Sequence, residues 1–441
     1  MKQSVAVFFI LCAAGARNAG AQLARPAQGA ASAGLQLATL QQAAIDADPR
    51  FAQLKLQQAQ TDLRVGNIDA ERRPSIAVEG QVQLQSDVPT PPPFVPGGTP
   101  LFLPPKDTYD AHVRIDQQVF DPTVRPRMDL ERAQLAESQS RVRVALFALR
   151  QDVNNAFFTA ALLEARAGAL GAAIANLEAR LRETAARVDG GTALAADAAA
   201  VEAALLQRRQ DEAQLRVDRA AALARLSSLT GRTISEHDTL VLPGLGDRIN
   251  QVRESMTSTR ARPEYEQFAR ARERVVKQQE TVATQTQMRV SAFANLGYAR
   301  PGLNVIGDQF EFYGLAGVRL QWKPWDWNTE GREREALAIQ SQIIAADEAA
   351  FTRTIERTTD TDLRAVDRLA ETLALDDRIV TLREQIDRSM ETRFRENVVT
   401  VADYLDRNTE LLDARFTQAA HRVELAQAGA TLLTTLGLEV R

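Results

Sequence analysis

The amino-acid sequence is internally duplicated, and this duplication limits the possible folds more than any other feature. The stretch "DPRFAQLKL" at Asp48 matches "RPEYEQFAR" at Arg262, an offset of 214 residues. The stretch "AHVRIDQQVFD" at Ala111 matches "AGVRLQWKPWD" at Ala316, an offset of 205, and a third block near the end of each half matches at 206. Three blocks in the same order predict two structural repeats rather than chance similarity. We expect a first repeat at 22–231, a linker or equatorial segment at 232–261 and a second repeat at 262–441.

Each half contains two segments in which apolar and polar residues alternate. In "SIAVEGQVQLQSD", Ile76 and Val78 fall on one face of a strand, and Glu79 and Gln81 fall on the other. The segments are about as long as the 9–11 residues that a tilted membrane-spanning strand needs. We therefore predict four two-faced strands at 75–86, 108–120, 289–299 and 310–322.

The rest of each half has the pattern of a long helix. No proline interrupts the sequence from Pro126 to about Thr184, and apolar residues recur there at alternating spacings of four and three. This is a heptad pattern, which predicts left-handed coiled-coil packing. We expect the long helices of each half to pack antiparallel as a hairpin. The seam consists of Val142, Leu146, Leu149, Val153, Ala156, Ala160, Leu163, Ala167, Leu170, Ile174, Leu177 and Leu181.

The first 21 residues have the pattern of a secretory signal peptide. Lys2 provides the positive start, Val5 to Ala14 the short apolar core, and Ala19 to Ala21 the small-residue cleavage site. We expect a mature chain that begins at Gln22. The only cysteine, Cys12, lies in this segment, so we expect neither a disulfide nor a thiolate metal site in the mature chain.

The sequence gives no support for an enzyme or a nucleic-acid-binding protein. The formal net charge is −4 in 441 residues, without the basic bias of nucleic-acid-binding domains. His112, His237 and His421 lack zinc-ligand spacing, and we find neither a phosphate-binding glycine loop nor a Gly-x-Ser-x-Gly motif. We predict no catalytic activity and no cofactor.

Four strands in one chain raise a closure problem. A bacterial barrel has about eight strands at least, and an open sheet edge is not viable in lipid. If the apolar faces meet lipid, several chains must share one barrel. Three alternatives stay open at this point: a β-sandwich that buries the apolar faces, a periplasmic coiled-coil adaptor or scaffold, and a soluble periplasmic binding module.

The chain resembles the TolC-like outer-membrane efflux protein family, the outer membrane factors of tripartite efflux and type I secretion systems. The resemblance rests on the duplication, on "RPE" opening the second half, on "FDP" and "PWDW" after the strands, and on "VVTVADYLDRNTELLDAR" near the end. It implies an all-α fold with a membrane β-barrel, in which a homotrimer forms a 12-stranded barrel and a periplasmic helical tunnel. It also implies an exit duct in outer-membrane lipid that works with a periplasmic adaptor protein and an inner-membrane pump of the RND or ABC type.

The same resemblance assigns roles to the two hairpin tips. It implies an acidic ring at the aperture from Asp403 and Asp406, although Thr400-x-x-Asp403 is also the pattern of a helix start. It implies aperture contacts at Asp197, Arg393, Phe394 and Arg395. Phe394 stands where a tyrosine is common in the family, so we expect a gate held differently, through Arg395 or Arg393. The expected adaptor-docking residues are Gly190, Gly191, Thr192, Asn397 and Val398, for which simple turn roles are equally compatible.

Charged residues on the polar strand faces are expected to line the barrel lumen. Arg114 and Arg319 occupy matching positions in the two repeats, and His112 and Asp116 lie beside Arg114. Ordinary ion pairing between strands is compatible with the same placement.

Overall fold

The computed structural model describes residues 34–88, 105–254, 261–303, 308–396 and 398–440. The expected signal peptide, Cys12, Asn397 and most of the proline-rich loop after the first strand lie outside the described residues. The helices are α1 (Leu37–Ala47), α2 (Pro49–Ala70), α3 (Val124–Asp189), α4 (Ala195–Thr230), α5 (Gly246–Glu254), α6 (Pro263–Val282), α7 (Thr329–Arg395) and α8 (Val401–Thr435). The strands are β1 (Leu35–Gln36), β2 (Ser75–Leu84), β3 (Asp107–Phe120), β4 (Leu240–Val241), β5 (Arg289–Arg300) and β6 (Glu311–Gln321).

The four long strands form one antiparallel sheet in the order β2-β3-β5-β6. They begin and end within two residues of the expected ranges. The register places apolar residues opposite one another: Val78 faces Val113, which faces Leu296. Because side chains alternate along each strand, this register gives the sheet one continuous apolar face and one polar face.

Aromatic side chains gather at both ends of the apolar face. At the loop end, the Tyr298 ring lies 5.4 Å from Phe310 and 4.9 Å from Phe312. At the helix end, Trp322, Trp325 and Trp327 are all exposed. Exposed aromatic residues therefore border the apolar face of the sheet at both of its ends.

The helices are arranged around α3 and α7, which run the length of the hairpins. Helix α3 has 66 residues and α7 has 67, so each is about 100 Å long at 1.5 Å per residue. Near the sheet the packing order is α2-α3-α6-α7, and toward the hairpin tips it is α4-α3-α8-α7. In both layers a helix of the first repeat lies at one edge and α7 lies at the other.

The largest buried cluster lies midway along the molecule. Leu40 of α1, Phe157 of α3, Leu226 of α4 and Leu432 of α8 meet there, together with residues of the linker. The parallel pair β1–β4 joins the start of the described chain to this linker. By length and composition alone, α3 among the described helices could cross a membrane. Its apolar residues instead form the core of the two helical layers.

The two repeats end in the same way. Gly231 after α4 and Gly437 after α8 both have left-handed backbone conformations, with φ of 64° and 81°. An added Cβ would lie 2.8 Å from the Ala47 side chain at Gly231, and 2.7 Å from the Ala261 backbone at Gly437. Ala47 and Ala261 precede the matching Pro-containing starts of α2 and α6, so the duplication extends to this close contact.

Candidate functional site

The polar face of the sheet carries a connected cluster of charged side chains. His112 Nε2 lies 3.3 Å from Glu79 Oε2, and His112 Nδ1 lies 3.2 Å from Asp110 Oδ1. Arg114 continues the cluster: its Nε is 2.6 Å from Asp116 Oδ2, and its Nη1 is 3.7 Å from Glu79 Oε1. The structure thus brings together three of the four residues that were expected to line a lumen.

Glycines of β5 and β6 make room for aromatic rings on this face. The Tyr313 hydroxyl reaches across β5 and donates to Asp110 Oδ1 at 3.0 Å. It can do so because its neighbour is Gly297, where an added Cβ would lie 2.7 Å from the Tyr313 ring. The strand alternation alone would have indicated Glu79, Asp110 and Tyr313 as further members of this face.

Arg319 lies on the same face but does not join the cluster. It is paired through Ser291 with Gln118, and its guanidinium lies 5.2 Å from the centre of the Phe293 ring. Phe293 in turn covers Gly317. The matching positions of Arg114 and Arg319 in the repeats therefore do not place the two arginines in contact.

The described residues of the two hairpin tips share one backbone hydrogen bond. In the first, the Thr192 amide donates to the Arg187 carbonyl at 2.8 Å, and Gly191 has a φ of 70°. In the second, the Val398 amide donates to the Arg393 carbonyl at 2.8 Å. These are the backbone bonds of a Schellman helix ending, in which glycine or asparagine suits the left-handed position.

The aspartates after the turns begin the returning helices. Asp197 Oδ2 accepts from the Leu194 amide at 3.2 Å. Asp403 Oδ2 accepts from the Thr400 side chain at 2.7 Å, and the Asp403 amide donates to Thr400 Oγ1 at 3.1 Å. The hydrogen bond from the Thr400 side chain, helped by that from its amide, lowers the pKa of Asp403. The helix-start interpretation is thus observed for Asp403, whereas Asp406 lies one turn further on and is exposed.

The aromatic residue of the second tip is buried. Phe394 is 5% exposed and stacks on Tyr404 at 5.5 Å. The Arg187 guanidinium lies 5.5 Å from the Phe394 ring, and its Nη1 donates to the Phe394 carbonyl at 3.3 Å. Phe394 thus contributes to the core between the hairpins, and Arg393 beside it is exposed. Among the described residues, no hydrogen bond or ion pair joins Asp197 to Phe394 or to Arg393.

Four charged residues join the two hairpins near the tips, and we call them the hairpin clasp: Arg180, Glu183, Glu391 and Arg395. The side chain of Arg180 in α3 is only 5% exposed and pairs with Glu391 of α7 and, at 2.6 Å, with Glu183. Arg395 Nε lies 3.3 Å from Glu183 and its Nη2 lies 2.8 Å from Glu391. Burial, the largest single effect, would lower the pKa of Arg180, but the hydrogen bond with Glu391, the interactions with Tyr404 and the charge of Glu391 together outweigh it, so the pKa is raised.

Tyr404 forms the floor of the hairpin clasp. The Arg180 guanidinium lies 5.3 Å from the centre of its ring, and the Tyr404 hydroxyl is 3.4 Å from Asn176 Oδ1. The sequence pattern did not indicate Arg180, because it falls between the apolar seam positions. Within the described ranges, no group of three or more His, Cys, Asp or Glu side chains is arranged to hold a metal ion.

Comparisons with known proteins agree with this architecture. A family model described as outer membrane efflux protein matches residues 31–232. A comparison with curated proteins finds no match. The outer membrane protein VceC from Vibrio cholerae is similar in structure, with a TM-score of 0.64 at 16% identity over 92% of this chain and 97% of that chain.

Two further channels have a similar fold. The MtrE outer membrane channel of Neisseria gonorrhoeae, in its open state, gives a TM-score of 0.62 at 15% identity, covering 92% of this chain and 89% of that chain. The Campylobacter jejuni CmeC outer membrane channel gives 0.59 at 12% identity, covering 91% and 85%. The chain therefore shares the fold of solved outer membrane channels, and residues 31–232 match the outer membrane efflux protein family model.

Proposed function

We propose that the chain is the outer-membrane exit duct of a tripartite efflux pump or a type I secretion system, working as a passive homotrimeric channel gated at its periplasmic tip. The observation that carries the proposal concerns the sheet and the two helical layers. Each of these layers has two edges that pack against no other element of the described chain. One edge always belongs to the first repeat, and the other always belongs to the second. A head-to-tail interface between such edges closes into a ring.

In the sheet, the open edges are β2 and β6. Four strands cannot close a barrel, and lipid does not tolerate unpaired strand edges. Successive strands alternate in direction, so β6 of one chain would pair antiparallel with β2 of the next. Three chains would give twelve strands. Ten residues separate Phe312 from Trp322, about 33 Å of strand or about 25 Å of barrel height at a ~40° tilt, which suits the apolar band between aromatic girdles.

In the helical layers, the exposed faces at the two edges are complementary. Near the tips, α7 exposes a heptad stripe of large side chains, Leu375, Ile379, Leu382 and Ile386. At corresponding heights, an exposed stripe of the same heptad spacing on α4 carries Ala199, Ala203, Leu206, Ala213 and Val217, with charged and amide side chains beside it. Two apolar stripes at heptad spacing can pack together as a coiled coil. Nearer the sheet, Ile339 and Ile343 of α7 would face Leu56 and Leu63 of a neighbouring α2.

Disulfide cross-linking tests this ring, because Cys12 is the only native cysteine and lies in the expected signal peptide. Ala213→Cys and Ile379→Cys in one chain lie at similar distances from the tips, roughly 25 Å by helical rise. Oxidation of intact cells should give a product of three linked chains on a denaturing gel. In the control, Ala213→Cys is combined with Thr381→Cys, which is exposed on a different face of α7. The ring would be contradicted if both cysteine pairs gave equal amounts of cross-linked product. It would also be contradicted if Ala213→Cys with Ile379→Cys gave only monomer.

The periplasmic tips would form the aperture of this duct. Asp406 is exposed and lies one helical turn farther from the tip than Asp403. In a trimer, three copies of each aspartate would give two acidic rings that attract cations. The hairpin clasp would hold the tips closed, through Arg395 and the buried Arg180 rather than through Asp197. The turn residues Gly190, Gly191, Thr192, Asn397 and Val398 would meet the periplasmic adaptor, which links the duct to an inner-membrane pump of the RND or ABC type.

A further inference from the structure

His112 has an unusual position on the polar face of the sheet. Its ring lies between two carboxylates, with Nε2 3.3 Å from Glu79 and Nδ1 3.2 Å from Asp110. The His112 side chain is only 15% exposed. Both nitrogens of one imidazole therefore lie within ion-pair distance of a carboxylate, and Nδ1 is also hydrogen-bonded to Asp110.

The protonation state of His112 decides whether both contacts are favourable. A neutral imidazole has one N–H, so it can donate to one carboxylate while the lone pair of its other nitrogen faces the second. The imidazolium has two N–H groups and can donate to both. Imidazole is also the side chain whose ordinary titration lies between about pH 5 and pH 8. Only the protonated ring carries a positive charge that attracts both neighbouring carboxylates.

Every strand of the sheet contributes to the surroundings of His112. Strand β2 provides Glu79, and β3 provides Asp110 and Arg114, the latter paired with Asp116. Strand β5 provides Gly297, where an added Cβ would lie 2.6 Å from that of His112. Strand β6 provides Tyr313, which donates to Asp110. Three carboxylates and one guanidinium give the cluster a charge of −2 with a neutral His112, and −1 with a protonated one.

We propose that His112 is a proton-sensitive determinant of ion selectivity in the barrel lumen. Protonation halves the net negative charge of this cluster and so weakens the preference of the channel for cations. The inference rests on the proposed function, because the polar face must line a closed barrel. Within such a barrel, symmetry-related clusters act together on the same passing ions.

Reversal potentials in planar bilayers test this inference on the full-length protein. In a KCl gradient, the K⁺ over Cl⁻ permeability ratio of the wild type should fall about two-fold between about pH 7.5 and about pH 5.5. His112→Gln keeps a polar side chain of similar size but cannot take up a proton, so its ratio should stay constant. The matched control is His421→Gln: His421 Nδ1 also contacts a carboxylate, Asp376, at 2.5 Å, but in the α7–α8 hairpin. This control should respond like the wild type.

The outcomes separate the inference from the proposed function. All three proteins share the same aperture carboxylates, so titration at the tips cancels from the comparison. If His112→Gln responds like the wild type, or if His421→Gln loses the response, the inference is overturned while the channel proposal stands. A wild type with pores but without a pH response overturns it as well. A wild type that forms no pores overturns the proposed function, and the inference with it.

Discussion

Gly231 and Gly437 each allow a helix end to lie against the start of another element. Both have positive φ, which costs a non-glycine residue about 1–3 kcal/mol, and an added Cβ would contact Ala47 or the Ala261 backbone. We expect Gly231→Ala and Gly437→Ala each to lower the apparent unfolding temperature in a detergent scan. Gly171→Ala is the control, because that helical position has nothing within 4 Å and alanine should stabilise it by about 0.5–1 kcal/mol. Equal shifts for all three would contradict this account.

Asp387 in α7 is a buried carboxyl group with a predictable pH effect. Its main described partner is the Asn408 amide, which donates at 3.5 Å, and burial raises the pKa of Asp387. A raised pKa means that the neutral form favours the folded state, so its contribution to stability is present at acid pH and is lost as the pH rises. Wild type therefore carries the cost of a buried charge at neutral pH.

Asp387→Asn should accordingly raise the unfolding temperature at about pH 7.5, and the gain should shrink toward about pH 3.5, where the wild type is protonated as well. Scanning fluorimetry at both pH values measures this difference. Asp413→Asn is the matched control, since Asp413 is exposed on the neighbouring α8. A gain that is the same at both pH values, or a loss at neutral pH, would show that burial of the Asp387 charge is not the cause.

At the scale of elements, local periodicity explains what the sequence could predict. The strand faces followed from a period of two, and the helix seam from a heptad, because neighbours along the chain determine both patterns. The hairpin clasp could not be predicted from the sequence, since Arg180 and Glu391 come together only because α3 and α7 both pack against α8. Phe394 shows the same limit, because its burial against Tyr404 depends on the packing of α7 against α8.

The hairpin clasp leads to a prediction about the conductance of the channel. Arg180→Met keeps much of the side-chain volume but leaves Glu391 and Glu183 without their buried partner, so the hairpins should separate more easily. We expect a larger single-channel conductance in planar bilayers. Arg182→Met, on an exposed position of the same helix, should leave the conductance unchanged. A conductance that Arg180→Met does not change would show that the clasp only stabilises the fold.

In the same recordings, Asp406→Ala should weaken block by divalent cations, because it removes one of the proposed acidic rings.

At the scale of the whole molecule, the duplication explains how one kind of chain would be sufficient to build the proposed ring. The sequence predicted two repeats, but it did not reveal which faces would stay open. Those faces emerge only when α3 packs against α6 and α8, which leaves α2 and α4 on one side and α7 on the other. The same split appears in the sheet, where β2 and β6 remain unpaired. The polar face that the strands create is thereby continuous from one repeat to the next.

The two unlike edges also have a genetic consequence. A chain with a damaged β2 edge keeps an intact β6 edge and an intact α7 stripe. In the proposed ring, such a chain would still join normal chains and inactivate the assemblies that contain it. In a ring of three formed from equal amounts of both chains, roughly one assembly in eight would consist of normal chains alone. Damage to one edge should therefore be dominant over a wild-type copy, whereas a chain that fails to fold should be recessive.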